Sequence, residues 1–203
     1  MSGTAYIVSA PSGAGKTTLC KMAEKEFPDI GNSISYTTRA QRPGEVNGVD
    51  YWFVDDAVFD GMVSRGEFLE YADVYGKKYG TSKKDLDAML EKGMSVILEI
   101  DVQGAANVRK RMEGGVFIFI LPPSLKAAED RLTGRGKDTP GEIKRRLGIA
   151  AEEIRKAPEY DYIVVNDDLD KAFETFSSII RAEKARSARV KGALKGFFGG
   201  LIG

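Results

Sequence analysis

A chain of 203 residues, 42% hydrophobic and 30% charged, is long enough to bury an apolar core without disulfides or structural metals. Its 30 basic and 30 acidic side chains cancel, so the total charge gives no sign of a nucleic-acid or membrane partner. The lack of histidine removes imidazole from any catalytic or metal-binding scheme, and a single cysteine, Cys20, rules out an intrachain disulfide.

In chain order, the apolar run Ala5–Val8 reads as a strand and leads into Ser9-Ala10-Pro11-Ser12-Gly13-Ala14-Gly15-Lys16-Thr17-Thr18, with a helix from Lys16. Gly13 and Gly15 permit turns that aim backbone N–H groups inward at an anion, and the positive helix end adds a partial charge. Lys16 then reaches outer phosphates and the Thr17 hydroxyl suits Mg²⁺. Residues Ala10 to Thr18 are therefore the expected nucleoside triphosphate site. Phe27-Pro28-Asp29 stops the first helix.

Beyond it the sequence predicts a short strand over 33–37, a loop through Gly48, a strand over 51–54 and a helix over 55–64 with Val58, Met62 and Val63 inward. A strand follows at 67–75, then a helix capped by Thr81 or Ser82 and running to about Lys92, with Leu86, Met89 and Leu90 inward. From Ser95 the pattern changes to buried strands and amphipathic helices: strand 96–100, helix 103–112, strand 116–121, helix 124–132. A helix follows the capping box Thr139-Pro140-Gly141-Glu142, with Ile143, Leu147, Ala150 and Ile154 on one face. A last strand at 163–165 precedes a helix over 169–186. Strands alternating with helices specify an α/β fold with a parallel sheet flanked by helices. The strand-rich stretch 33–92 reads as an inserted lobe, 125–156 as a small lid with flanking helices, and 191–203 as a flexible tail. That leaves 1–32, 93–124 and 157–190 for the core.

The longest apolar run, Val116–Leu121, is far below the roughly 18 residues that span a bilayer, and Met1–Thr4 carries no cationic, apolar leader. A cytoplasmic protein with small-molecule partners is expected. The basic stretch from Arg181 to Lys195 reads as a solvated helix face and tail, and the apolar, glycine-heavy end as either a frayed tail or a small segment docking on a second copy of the chain, a homo-oligomer.

Four further features converge with the loop. Arg39 and Arg42, beside hydroxyls in Ser35–Glu45, are spaced to grip a phosphate bidentately. Glu70, with Tyr79 and Thr81, supplies a carboxylate, a phenol and a hydroxyl for a nucleobase edge. Guanine's N1–H and exocyclic amine suit one carboxylate, whereas adenine would leave it unpaired. Glu99 and Asp101 fall on one face at a strand end, where α/β sheets bind ligands; one suits the Mg²⁺ water shell and the other the acceptor. Arg131, Arg135 and Arg146 are the cations for a transferring phosphoryl group.

With these motifs in view, the chain resembles guanylate kinases from about Ala5 to Lys184. The likeness rests on the Ala10–Thr17 loop, Ser35-x-x-Thr-Arg-x-x-Arg-x-Gly-Glu45, Tyr79-Gly80-Thr81, Glu99-Ile100-Asp101-x-Gln103-Gly104, Gly134-Arg135-Gly136 and Val165-Asn166-Asp167-Asp168. The resemblance implies Mg²⁺-dependent transfer of the ATP γ-phosphoryl to GMP. It implies GMP phosphate contacts from Arg39, Arg42, Tyr51 and Tyr79, and guanine contacts from Ser35, Glu70, Thr81 and Asp101. ATP would be held by the loop and Lys16, by Arg131, Arg135 and Arg146, and by Asn166 near the adenine. Catalysis would fall to Lys16, Arg39, Asp101, Arg131, Arg135 and Arg146, with Thr17 at the metal and Glu99 assisting through water. Ala10 replaces a glycine, and Glu99 stands where many relatives carry Asp. A scaffold module that uses the same cleft for protein partners has no need of Gly-Lys-Thr or of the arginines. A sugar-phosphate kinase would keep the Arg39/Arg42 grip without the Glu70, Thr81 and Asp101 reader.

Overall fold

In the computed structural model, residues 3–74, 76–134, 139–190, 194 and 199 are described. Five strands form a wholly parallel sheet: β1 (Ala5–Ser9), β2 (Ile30–Asn32), β7 (Ser95–Glu99), β8 (Val116–Leu121) and β9 (Tyr162–Val165), in the order β2-β7-β1-β8-β9. Period-two side-chain alternation gives this sheet two apolar faces. Tyr6, Val8, Ile97, Ile118 and Val164 pack on one side with Leu19, Cys20 and Ala23 of α1 (Lys16–Glu26) and with Phe176 and Ile180 of α7 (Leu169–Lys184). Ala5, Ile7, Val96, Leu98 and Phe117 pack on the other. Their partners there are Leu86 of α3 (Lys83–Glu91) and Ala105 and Val108 of α4 (Val102–Arg111).

The inserted stretch forms a second sheet of β4 (Trp52–Phe53), β3 (Tyr36–Thr37), β6 (Lys77–Ser82) and β5 (Phe68–Val74), in that order. Its small core is Phe59 and Met62 of α2 (Asp56–Ser64) against Phe68. The expected inward Val58 is instead 48% exposed, and Phe59 beside it is fully buried, because the larger ring removes more apolar surface from water. A register shift between Phe68 and Glu70 leaves Leu69 as the extra residue of a bulge, facing the main core. Glu70 is thereby re-aimed, buried, at the parent domain.

Two strands escaped the sequence reading. Ile30–Asn32 is three residues at a sheet edge, and Lys77–Ser82 opens on two lysines, so neither shows an apolar run. The strand expected over 33–37 contracts to Tyr36–Thr37. Asp101 is the N-cap of α4, its carboxylate accepting from Gly104 N–H at 2.7 Å, so that helix starts at Val102 rather than Gln103. The helix expected over 124–132 is α5 (Leu125–Gly134). The capping box is formed as expected at α6 (Pro140–Ile154), with Ile143 and Ala150 buried. Of the tail proposed over 191–203, only 194 and 199 lie within the described residues.

Candidate active site

The carboxyl ends of adjacent strands β1 and β7 open into one crevice, where parallel α/β sheets place their ligands. After β1 the chain turns through residues 10–15 into α1. Gly13 and Gly15 take φ of +83° and +90°, the left-handed region that side chains resist. Gly13 also abuts α5: a Cβ there would lie 2.7 Å from the Ala128 carbonyl oxygen. Beside it, buried Asn166 donates through Nδ2 to the Ala14 carbonyl at 2.7 Å. Contacts from α5 and from Asn166 thus hold the loop. Gly13→Ala is expected to cut turnover at least about 100-fold, because backbone rather than a movable side chain blocks the added methyl. Steady-state kinetics with a melting curve checks this, a lowered Tm accompanying the loss.

A cleft of about 470 Å³ is lined by Ala10, Pro11, Ser12, Gly13, Ala14, Gly15, Lys16, Thr17 and Thr18, with Asp101 and Arg146 on its far walls. Lys16 Nζ donates to the Ile100 carbonyl at 3.3 Å, a light tether that leaves the charge available. Thr17 Oγ1 donates to Glu99 Oε2 at 2.9 Å, joining the two residues selected from sequence for the metal. Arg146 Nε donates to Ser12 Oγ at 3.3 Å, so α6 reaches the loop.

A second cleft, about 310 Å³, shares Lys16, Val74, Asp101 and Arg146 with the first. Ser35, Tyr51, Glu70, Tyr79 and Glu99 also line it, with Ala72 and Ile100. Thr81, 1% exposed, stands behind and donates to Glu70 Oε1 at 2.7 Å. Burial pushes the Glu70 carboxyl up to about 7; the Thr81 hydrogen bond opposes the rise and the Asp101 charge adds to it. Arg39 lies 5.3 Å from the Tyr51 ring centroid, and Tyr51 meets Tyr79 edge-on at 5.9 Å. Arg39 also pairs with Glu45 at 2.8 Å, while Arg42 is exposed and donates its backbone N–H to the same carboxylate at 2.8 Å. Glu45 therefore organises both arginines, the part of the motif to which the sequence reading gave no role.

The expected arginines do not all converge. Arg131 lines a third cleft with Gly13, Gly15, Thr18, Asn166 and Asp167. Its Nη2 donates to the Asn166 and Asp167 carbonyls at 2.9 and 3.4 Å, on the opposite flank of the loop from Arg146. Arg135 lies outside the described residues. The structure adds two acids that the sequence reading passed over: Asp73, on β5, and Glu153. Glu153, on α6, lines the loop cleft with Lys16, Asp101 and Arg146.

Comparison with known proteins gives a consistent outcome. The family model described as guanylate kinase matches residues 2–183. The guanylate kinase of Geobacter metallireducens is 50% identical over 188 residues, covering 93% of each chain. That of Alkalilimnicola ehrlichii is 46% identical over 203 residues, the whole of both. A crystal structure of guanylate kinase from Anaplasma phagocytophilum superimposes with a TM-score of 0.78 at 36% identity, covering 97% of this chain and 96% of that one.

Proposed function

This chain belongs to the guanylate kinase family, enzymes that phosphorylate GMP to GDP at the expense of ATP, and we propose that its two clefts are the donor and acceptor halves of that reaction. The observation that carries the assignment is their common wall: Lys16, Asp101 and Arg146 border the loop cleft and the Glu70 cleft alike. A γ-phosphoryl group cradled by the loop and a GMP phosphate held by the Arg39–Tyr51–Tyr79 cluster would meet across these residues. The nucleophile, a phosphate oxygen, is already anionic near neutrality. In-line positioning and cation stabilisation then suffice, without a histidine or a covalent intermediate.

On this reading the loop N–H groups, Lys16 and Arg146 bind the ATP phosphates, and Asn166 and Arg131 border the adenosine end in the third cleft. Arg135 is assigned as a second lid cation on the resemblance alone. Arg39, Arg42, Tyr51 and Tyr79 hold the GMP phosphate. Ser35, Glu70, Thr81 and Asp101 read the guanine. The oxygen-only pair Thr17 and Glu99 fits Mg²⁺, a hard cation that keeps several waters and relies on nucleotide phosphates for the rest of its shell. Bound there, the ion would neutralise charge on the β- and γ-phosphates. Among the described residues, no cluster of three or more His, Cys, Asp or Glu side chains is placed to hold a metal without the nucleotide.

Residues 33–92 serve as the GMP lobe and 125–156 as the lid, closing on the core to exclude water from the transfer. No described helix is long and apolar enough to cross a membrane. A cytoplasmic enzyme of purine nucleotide metabolism is the setting we assign; Arg181 and Lys184 of the basic stretch pair with Glu26 and Asp29, and Arg186 and Arg189 with Glu183. The test is ADP release from Mg·ATP with GMP, dGMP, AMP, CMP or UMP as acceptor, with and without EDTA. Turnover is expected with GMP, little with AMP, and none once the metal is chelated. Equal turnover across acceptors would overturn the assignment of the Glu70 cleft, and EDTA-resistant turnover that of Thr17 and Glu99.

A further inference from the structure

The carboxylate of Glu153 sits in the phosphate cleft, where like charge to the substrate is unexpected. It lies two turns after Arg146 on α6, so the helix carries a cation and an acid into one cavity. From the loop and α1, Lys16 faces it; from the N-terminus of α4, Asp101; from β5, Asp73 lines the same cleft. Resting on the donor reading above, we propose that Glu153 is a positioning residue: a counter-charge that Lys16 and Arg146 share while the cleft is empty and that the ATP phosphates displace.

The physical need is plain. Two cations bordering one cleft repel each other, and a carboxylate beside them offsets that repulsion. A carboxylate that interacts with both keeps them facing inward. Burial, with the Asp101 charge, pushes the Glu153 carboxyl up to about 7, while Lys16 and Arg146 act to hold it down. Polyanionic ATP captures those two cations and brings further negative charge, so Glu153 is driven toward its neutral form. Binding of Mg·ATP near neutral pH is then accompanied by proton uptake. The ionised acid also competes with the phosphates, so its contribution weakens ATP binding as pH rises through about 7.

Glu153→Gln keeps the shape and removes the charge. Expected are a kcat lowered by about 10- to 100-fold through loss of cation placement, a KM for ATP no higher than wild type, an unchanged KM for GMP and an unaltered Tm. Calorimetric titration of Mg·ATP in buffers of different ionisation enthalpy should show proton uptake in the wild type that is reduced in the variant. Glu153→Asp should retain part of both effects. Wild-type kcat in Glu153→Gln, or identical proton uptake in the two proteins, would overturn the proposal. So would a kcat loss that follows a fall in Tm, which marks a structural role. Failure of wild-type Mg·ATP to bind would overturn the donor reading itself, which separates the two conclusions.

Discussion

Lys16→Ala is expected to lower kcat by about 100- to 1,000-fold, the cost of removing one preorganised charge donor from a site where charge moves in the transition state. The residue holds a singular position. It is the first residue of α1, its ammonium reaches across to the carboxyl end of β7, and it borders both the loop cleft and the Glu70 cleft. A phosphoryl group passing between those clefts stays within its field throughout, so its stabilisation is greatest midway, which is where it raises kcat. Its structural contribution is small by comparison, a single 3.3 Å hydrogen bond to the Ile100 carbonyl. The variant should therefore melt within about 2 °C of wild type. Single-turnover kinetics beside a thermal melt checks both halves. Near-normal turnover would take the loop lysine out of the chemistry.

The loop was legible because its chemistry is local. Glycines at 13 and 15, the lysine and the following hydroxyls lie within one turn and the start of one helix, so spacing alone specified the cradle. What escaped depended on contacts between distant segments. Glu153 reads as one of two adjacent acids on an amphipathic helix; only the packing of α6 against the loop separates it from exposed Glu152. Strand β6 opens on Lys77 and Lys78 and reaches Gly80, whose missing side chain is filled by Phe68 from the neighbouring strand. The apolar partner that defines the strand therefore lies in other segments. The placement of the arginines escaped for a related reason. Arg131 and Arg146 sit on different helices, and helix periodicity says nothing about which flank of the loop each will reach.

Glu70 was found by residue type, but its position depends on the bulge. With strict alternation, Phe68 and Glu70 would share a face, and a carboxylate would enter the small apolar cluster around Phe59. Leu69, the extra residue, breaks that pattern and turns Glu70 toward Thr81 and the start of α4, where an added Cβ on Gly104 would come within 2.7 Å of Oε2. The resulting acid is 4% exposed, and its carboxyl is pushed up to about 7 mainly by burial. Two opposed consequences follow for Glu70→Gln.

Guanine offers two donors, which an ionised carboxylate accepts and an amide meets with one acceptor and one clashing N–H. kcat/KM for GMP should fall by about 100-fold or more, the scale on which mispaired buried polar groups are rejected. ATP binding should stay unchanged. Folding responds in the other direction. For an acid whose folded-state value is raised, the folded protein holds its proton longer than the unfolded chain, so stability declines as pH rises from the unfolded value near 4.5 through about 7. Glutamine carries no such titration. The variant should thus gain stability relative to wild type at about pH 8, on the order of 1–3 kcal/mol, and little at about pH 5. Thermal melts at the two pH values, set beside GMP and ATP kinetics, test the pair of effects together. A variant that loses GMP use without gaining stability at alkaline pH would show that Glu70 is already ionised at no cost in the empty cleft. One that gains stability while keeping wild-type kcat/KM for GMP would remove this carboxylate from recognition of the base.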